Sequence, residues 1–317
     1  MDYAIGIEIG GSVLRIGLVS SDGKVIRSVR RDSGPLRDQS TAAGLLLNEI
    51  TDFLDDIPIG SCAGIGIAMA GLVDNERRMM VLASNLGWRD FPLGDEIADL
   101  TGLPVTADKD TNMAALGELH AGAGRGLDSF VYVTLGTGAG GSVICDRRLI
   151  RGIGNRGGEF GHIYSGGDKQ CGCGLTGCLE TWAGAVWIGV RARELVQSGV
   201  SSRMMSLAGS IESIDSRIVV QAAEQGDEPA KTILADAARA VGIALLNAVR
   251  MIYPQAVIIG GSIGSIREFI FDPTKEFVET NSVLPGTNLP AVRVLAAELD
   301  DKAAMIGAGL SVFWETA

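Results

Sequence analysis

Positive charge is the first thing this chain is short of: 27 Lys and Arg stand against 38 Asp and Glu, a net charge of -11 over 317 residues. Non-specific contact with nucleic acid or an anionic membrane is disfavoured, because either needs a basic face to offset phosphate repulsion. Any anionic ligand must be held by local devices. A secretory leader is also missing, since the opening MDYAIGIEIGG has no basic start followed by a long apolar core and a small-residue cleavage site. The most apolar stretch, Ile57 to Val73, is broken by Pro58 and four glycines, so it falls short of the uninterrupted run that a spanning helix needs. The five cysteines are odd in number, which in a chain without secretion features argues against a disulfide framework. A cytoplasmic address is expected, with no membrane and no nucleic-acid partner. Long disordered tracts are excluded by a composition of 46% hydrophobic and 21% charged residues.

What is present is an alternation of strands, glycine turns and helices. Residues 3 to 19, YAIGIEIGGSVLRIGLV, read as a hairpin with a Gly-Gly tip. A helix is expected over Ser40 to Leu54, a strand and turn over Ala63 to Asp74, and a turn-like stretch at SNLGWRDFPLG. A short helix near Asp95 to Thr101, the strand LPVTA and a helix starting near Asp110 come next, the Asp and Thr there suiting a helix N-terminus. The second half restarts the pattern with SFVYVTLGTGAGGSVICDRRLI. Helices are expected at Thr181 to Gly199, Ile218 to Glu224 and Glu228 to Ile252, then the strand QAVIIGGSIG and a closing helix. Alternating elements of this kind make α/β lobes, and the length suits two of them sharing a cleft.

Three strand-to-glycine turns, at Gly10-Gly11-Ser12, Gly136-Thr137-Gly138-Ala139-Gly140-Gly141 and Gly260-Gly261, bare backbone N–H groups. Such turns cradle phosphate without net positive charge. None carries Gly-Lys-Ser/Thr after four spacers, and none opens a helix with the dinucleotide fingerprint.

In order and spacing, GIEIGGS, GIGIAMAGLVD, DKDTNMAALGE, LGTGAGGS, GGEFGH, CGCGLTGCLE and VIIGGSIG resemble the ROK family of repressors and sugar kinases over nearly the whole chain. The resemblance implies an actin-like, hexokinase-type (ribonuclease H-like) α/β fold: a small lobe of residues 1–118 with 302–317 packed back on it, and a large lobe of 119–301. It implies transfer of the γ-phosphate of ATP to a hexose hydroxyl, that of carbon 6, with Mg²⁺ and in a homodimer. Glucose is the default sugar; allose, mannose and N-acetylmannosamine are competitors. Repressors of the family carry an added DNA-binding domain before the first glycine turn, and with seven residues ahead of Glu8 none is expected here. A degenerate kinase that binds sugar without turnover is the remaining alternative.

By the same resemblance Asp110 is the catalytic base, a role its bare position at a helix start would not reveal. Gly71, Asn85, Lys109, Asp110, Glu159, His162 and Glu180 are sugar-binding. Gly10, Gly11, Ser12, Gly136, Thr137, Gly138, Gly260 and Gly261 bind nucleotide, and Glu8 orients Mg²⁺. His162, Cys171, Cys173 and Cys178 offer one imidazole and three thiols, the donor set of a tetrahedral structural Zn²⁺; Cys-x-Cys suits a redox pair poorly. Three positions depart from the family pattern. Glu8 stands for Asp, which is expected to displace the metal waters or the strand. Lys109 stands for Asn, changing which hydroxyl configuration is accepted unless it points to solvent. Gly157 stands for Ala, with little effect expected. His120 is expected at an exposed helix end, and Cys62 and Cys145 as buried strand residues.

Overall fold

A computed structural model describes residues 2–58 and 60–314; residue 1, Ile59 and residues 315–317, which the expected lobe spans include, lie outside it. Contacts divide the chain into two compact units, one of Met1–Leu127, Arg147–Gly157 and Ala297–Ala317, the other of Asp128–Asp146 and Gly158–Ala296. The sequence boundary at 118/119 falls inside a helix, and residues 119–127, 147–157 and 297–301 group with the first unit.

The first unit is built on a sheet of β1 (Tyr3–Ile9), β2 (Val13–Ser20), β3 (Val25–Asp32), β4 (Cys62–Met69) and, after a small three-stranded sheet of β5 (Leu72–Asp74), β6 (Met79–Ala83) and β7 (Trp88–Phe91), β8 (Val105–Lys109), in the order β3-β2-β1-β4-β8. The first three strands form antiparallel pairs, whereas β1, β4 and β8 run parallel. Parallel neighbours need crossovers, and these contain α1 (Gln39–Leu54) and α2 (Leu93–Thr101). On one face Ile5, Ile7, Ile16, Leu46, Ile50 and Phe53 are fully buried in a common core. The opposite face is paved with glycine. A Cβ on Gly6 would lie 2.0 Å from the Met305 carbonyl oxygen, and one on Gly66 1.7 Å from that of Ala308. The C-terminal helix Ala303–Trp314 therefore rests directly on the backbone of β1 and β4. It meets α3 (Asp110–Ala121) equally closely, with a Cβ on Gly307 falling 1.7 Å from the Met113 carbonyl oxygen.

The stretch SNLGWRDFPLG is not all turn: β7 pairs with β6. Trp88 and Phe91 are both buried, packed edge to face at 5.1 Å, and the Trp88 indole N–H donates to the Leu36 carbonyl at 2.7 Å. Asp90, left-handed at φ 48°, breaks the two-residue alternation that would mark a strand in the sequence. His120 is not on an exposed end. It is half-buried and stacked on Trp314 with centroids 4.7 Å apart, and burial, with Arg147 beside it, pushes its pKa down to about 4. Cys62 and Cys145 are half-buried rather than buried.

In the second unit β9 (Phe130–Leu135) pairs antiparallel with β10 (Ala139–Cys145) and parallel with Ala256–Gly260, which pairs parallel with Arg293–Ala296. The helix Glu228–Ile252 has the expected bounds. By length and composition it could cross a membrane, but Leu234, Val241, Leu245 and Val249 are fully buried in this unit's core. The single helix expected at Thr181 to Gly199 is two, Glu180–Ala183 and Ala185–Gln197, broken at the extended Gly184. The break lets the Ala185 N–H reach the Gly136 carbonyl at 2.9 Å. The helices Arg203–Ala208 and Asp272–Ser282 were not anticipated.

Candidate active site

The first unit gathers one group of the predicted residues at the ends of β1, β4 and β8. At the tip of the β1–β2 hairpin the Gly10 N–H donates to the Val13 carbonyl at 2.9 Å. Gly11 lies against Asn85, whose Cβ would be 2.7 Å from any Cβ placed there. Ser12 is exposed. Gly71 sits under the β6 backbone, where a Cβ would fall 2.5 Å from the Leu82 carbonyl oxygen.

Glu8 does not push β1 aside, because the register with β4 runs unbroken from Ile5 to Ile9. The longer side chain folds instead onto Arg15, its cross-strand partner, at 3.1 Å, and Arg15 also reaches Asp301 at 2.7 Å. Burial pushes the Glu8 carboxyl up to about 7; the Arg15 guanidinium opposes this, and the Asp110 carboxylate nearby adds to it. Glu8 therefore holds its proton to a higher pH than an ordinary carboxyl does.

Asp110 opens α3 half-buried, its Oδ1 accepting from the Thr111 N–H at 2.7 Å. Lys109 does not point to solvent. It is 5% exposed, and its Nζ donates to the Gly157 carbonyl at 2.8 Å. Gly157 in turn is more than a neutral replacement for Ala, since a Cβ there would meet the Ile150 carbonyl oxygen at 2.4 Å and Arg151 backbone atoms at 2.9 Å. The carbonyl that receives Lys109 thus sits in a loop closed too tightly for a side chain.

The second unit holds the rest. The turn Gly136–Gly138 joins β9 to β10, so that Ala139, Gly140 and Gly141 of the expected turn are strand residues paired with β9, and Gly260-Gly261 ends the strand parallel to β9. Both turns lie at the carboxyl ends of neighbouring parallel strands, where α/β sheets place their ligands. Gly261 is left-handed at φ 85° and packs on Leu135, whose carbonyl oxygen would be 2.3 Å from a Cβ. Glu180 is tied to the first of these turns: its Oε2 accepts from the Ala139 N–H at 3.1 Å and lies 2.3 Å from where a Gly138 Cβ would be. Its Oε1 is 3.5 Å from the Cys171 Sγ. Glu159 is exposed at the start of the turn Phe160–His162, which the buried Phe160 anchors.

The donor atoms of His162, Cys171, Cys173 and Cys178 all lie within 4.8 Å of one another. Cys173 and Cys178 sulfurs are 3.6 Å apart, and the Cys171 sulfur is 3.7 Å from His162 Nδ1. A tetrahedral ion with Zn–S of about 2.3 Å needs sulfurs roughly 3.8 Å apart, so the cluster has the size of a zinc site. Burial pushes the Cys171 thiol up to about 12, and a cation at the centre of the cluster is what would hold it as thiolate.

The sequence did not point to Asp108, Asn112, Arg151 and Asn155, which form a buried polar network behind Lys109 and Asp110. Asp108 and Asn112 flank the motif at i, i+4, a readable spacing. Arg151 and Asn155 come from a loop some 40 residues on, where no local pattern betrays them.

With glycine turns at strand ends, a carboxylate at a helix start and a Cys/His cluster, the chain has the make-up of a sugar-kinase-like α/β protein. It belongs to the ROK family, whose sequence model matches residues 4–313. It is similar to the glucokinase of Thermotoga maritima, 34% identical over 307 residues covering 96% of this chain and 95% of that one. It is also similar to the glucokinase of Halalkalibacterium halodurans, 31% identical over 315 residues covering 97% and 94%. A crystal structure of a ROK family glucokinase from Streptomyces griseus in complex with glucose and AMPPNP matches with a TM-score of 0.81 at 31% identity, covering 97% of this chain and 98% of that one. The actin-like, hexokinase-type fold implied by the motifs is the fold of these relatives.

Gly157→Ala is expected to lower stability by about 1–3 kcal/mol through overpacking and to loosen the Lys109 contact. Denaturant unfolding of the variant beside the native chain checks it.

Proposed function

We propose that this chain is an ATP-dependent sugar kinase that moves the γ-phosphate of ATP to a hexose hydroxyl, that of carbon 6, with glucose as the default substrate. The observation that carries the reading is Asp110 at the head of α3, in a chain 34% identical to a glucokinase along nearly all its length. Asp110 accepts the hydroxyl proton as the sugar oxygen bonds to the γ-phosphorus. The bond from that phosphorus to the bridging oxygen breaks, and ADP leaves. Gly11, Ser12, Thr137, Gly138 and Gly261 would offer main-chain N–H groups to the nucleotide, while Gly10 and Gly136, whose own N–H groups close the turns onto Val13 and Gly138, and Gly260 would leave room for its approach. Glu159 and Glu180 supply acceptors for sugar hydroxyls, while His162, its Nδ1 turned to the cysteines, presents Nε2–H as a donor. Asn85, Gly71 and Lys109 complete the sugar contacts.

Two metals belong to this reading. Zn²⁺ on His162, Cys171, Cys173 and Cys178 would be structural, stiffening the loop between Glu159 and Glu180. Glu8 would orient Mg²⁺ bound with ATP, which would neutralise charge on the phosphates. A homodimer rests on the family resemblance in the same way, and a cytoplasmic address on an odd cysteine count without secretion features.

ADP release across a panel of hexoses and N-acetylhexosamines with MgATP is expected to show turnover with glucose. Asp110→Asn should keep sugar binding and lose at least a hundredfold in kcat; an Asp110→Asn enzyme of native rate would refute the base assignment. Metal analysis should find close to one zinc per chain, reduced in Cys178→Ser. Because a proton and a divalent cation compete for Glu8, the Mg²⁺ concentration giving half-maximal rate should fall as pH rises through about 7, and this dependence should vanish in Glu8→Gln.

A further inference from the structure

We propose that Asp108 is a positioning residue for the reaction, fixing Asp110 and Lys109 through a closed buried network; the inference rests on Asp110 being the base. The Asp108 side chain is 1% exposed, so it reaches no ligand itself. Its Oδ1 accepts from the Lys109 N–H at 2.6 Å, from Asn112 Nδ2 at 2.9 Å and from Asn155 Nδ2 at 2.7 Å, and its Oδ2 from Arg151 Nε at 2.7 Å. The two asparagines are buried as well. Asn112 donates to Asn155 Oδ1 at 3.0 Å, and Asn155 to the Val73 carbonyl at 3.2 Å.

A buried carboxylate is expensive to hold, and a well-packed apolar group of similar size often stabilises a fold as well or better. What apolar packing does not provide is direction. Asp108 and Asn112 bracket the turn from β8 into α3, and bonding them to each other closes residues 108–112 into a ring that holds Lys109 and Asp110 between its fixed ends. No side-chain cap bond is made at Lys109; the ring instead ties the end of β8 to the first turn of α3. The same loop that sends Arg151 and Asn155 to Asp108 sends the Gly157 carbonyl to the Lys109 ammonium, so one segment sets both the base and its basic neighbour. Asn155 holds its place with a left-handed backbone, φ 60°, which asparagine tolerates better than most residues.

The test is a double-mutant cycle on kcat with glucose and MgATP, with KM and thermal midpoint measured alongside. Asp108→Asn should lower kcat about ten- to a hundredfold with sugar KM within threefold of native. Added to Asp110→Asn, it should lower the residual rate less than twofold, because a residue that acts through the base has nothing left to position. Arg151 is only partly buried, so its variants bear on the idea if Asp108→Asn fails to fold. Arg151→Met should lower kcat several-fold with the same non-additivity, and Arg151→Lys should restore most of it. Multiplicative losses in an active enzyme, or folded variants of native kcat, overturn this inference alone; a native chain inactive on every sugar overturns the functional reading and this inference with it.

Discussion

The first unit depends on one close contact, that of the helix Ala303–Trp314 with the backbone of β1 and β4. Carbonyl oxygens of Met305 and Ala308 occupy the space that side chains would take at Gly6 and Gly66. The consequence reaches the site directly. β1 carries Glu8 and runs through Ile9 into the Gly10-Gly11 tip, while β4 is the partner that sets the register of β8, which ends at Lys109 with Asp110 next. With α3 pressed against the same helix at Gly307, the strand ends and the helix that opens with Asp110 are held as one body. Glycine here does more than permit turns; it removes the side chains that would separate the layers.

Charge is handled by a second constraint. A chain of net charge -11 has few cations to spare, and the structure spends them on its own acids: Arg15 on Glu8 and Asp301, Arg151 on Asp108. Main-chain N–H groups at the glycine turns are the donors proposed for phosphate. Glu8, although paired, keeps a raised pKa: burial and the Asp110 carboxylate outweigh one guanidinium.

Much of the fold was legible because its signals are local. The hairpin over residues 3 to 19, the helix Glu228–Ile252 and the Cys/His spacing are carried by neighbours in sequence. What was not legible depends on contacts distant in sequence. Trp88 and Phe91 fall on one side because Asp90 is left-handed, and the helix expected from Thr181 breaks at Gly184 so that Ala185 can bond Gly136. The site follows the same rule. Its motif residues are proposed from resemblance, but the burial of Lys109, the tight loop at Gly157 and the Arg151 and Asn155 partners of Asp108 come from a segment some 40 residues away that no periodicity announces.

These features support phosphoryl transfer to a sugar hydroxyl, with Asp110 at the head of α3 as the proposed base and main-chain N–H groups at the glycine turns as the proposed donors for the phosphates. The most direct measurement is ³¹P nuclear magnetic resonance of the native chain incubated with glucose and MgATP. The account predicts a new phosphate monoester, formed in step with ADP, whose phosphorus couples to the two protons of carbon 6. Free inorganic phosphate as the sole new phosphorus signal beside ADP, or an unchanged ATP spectrum, would contradict it.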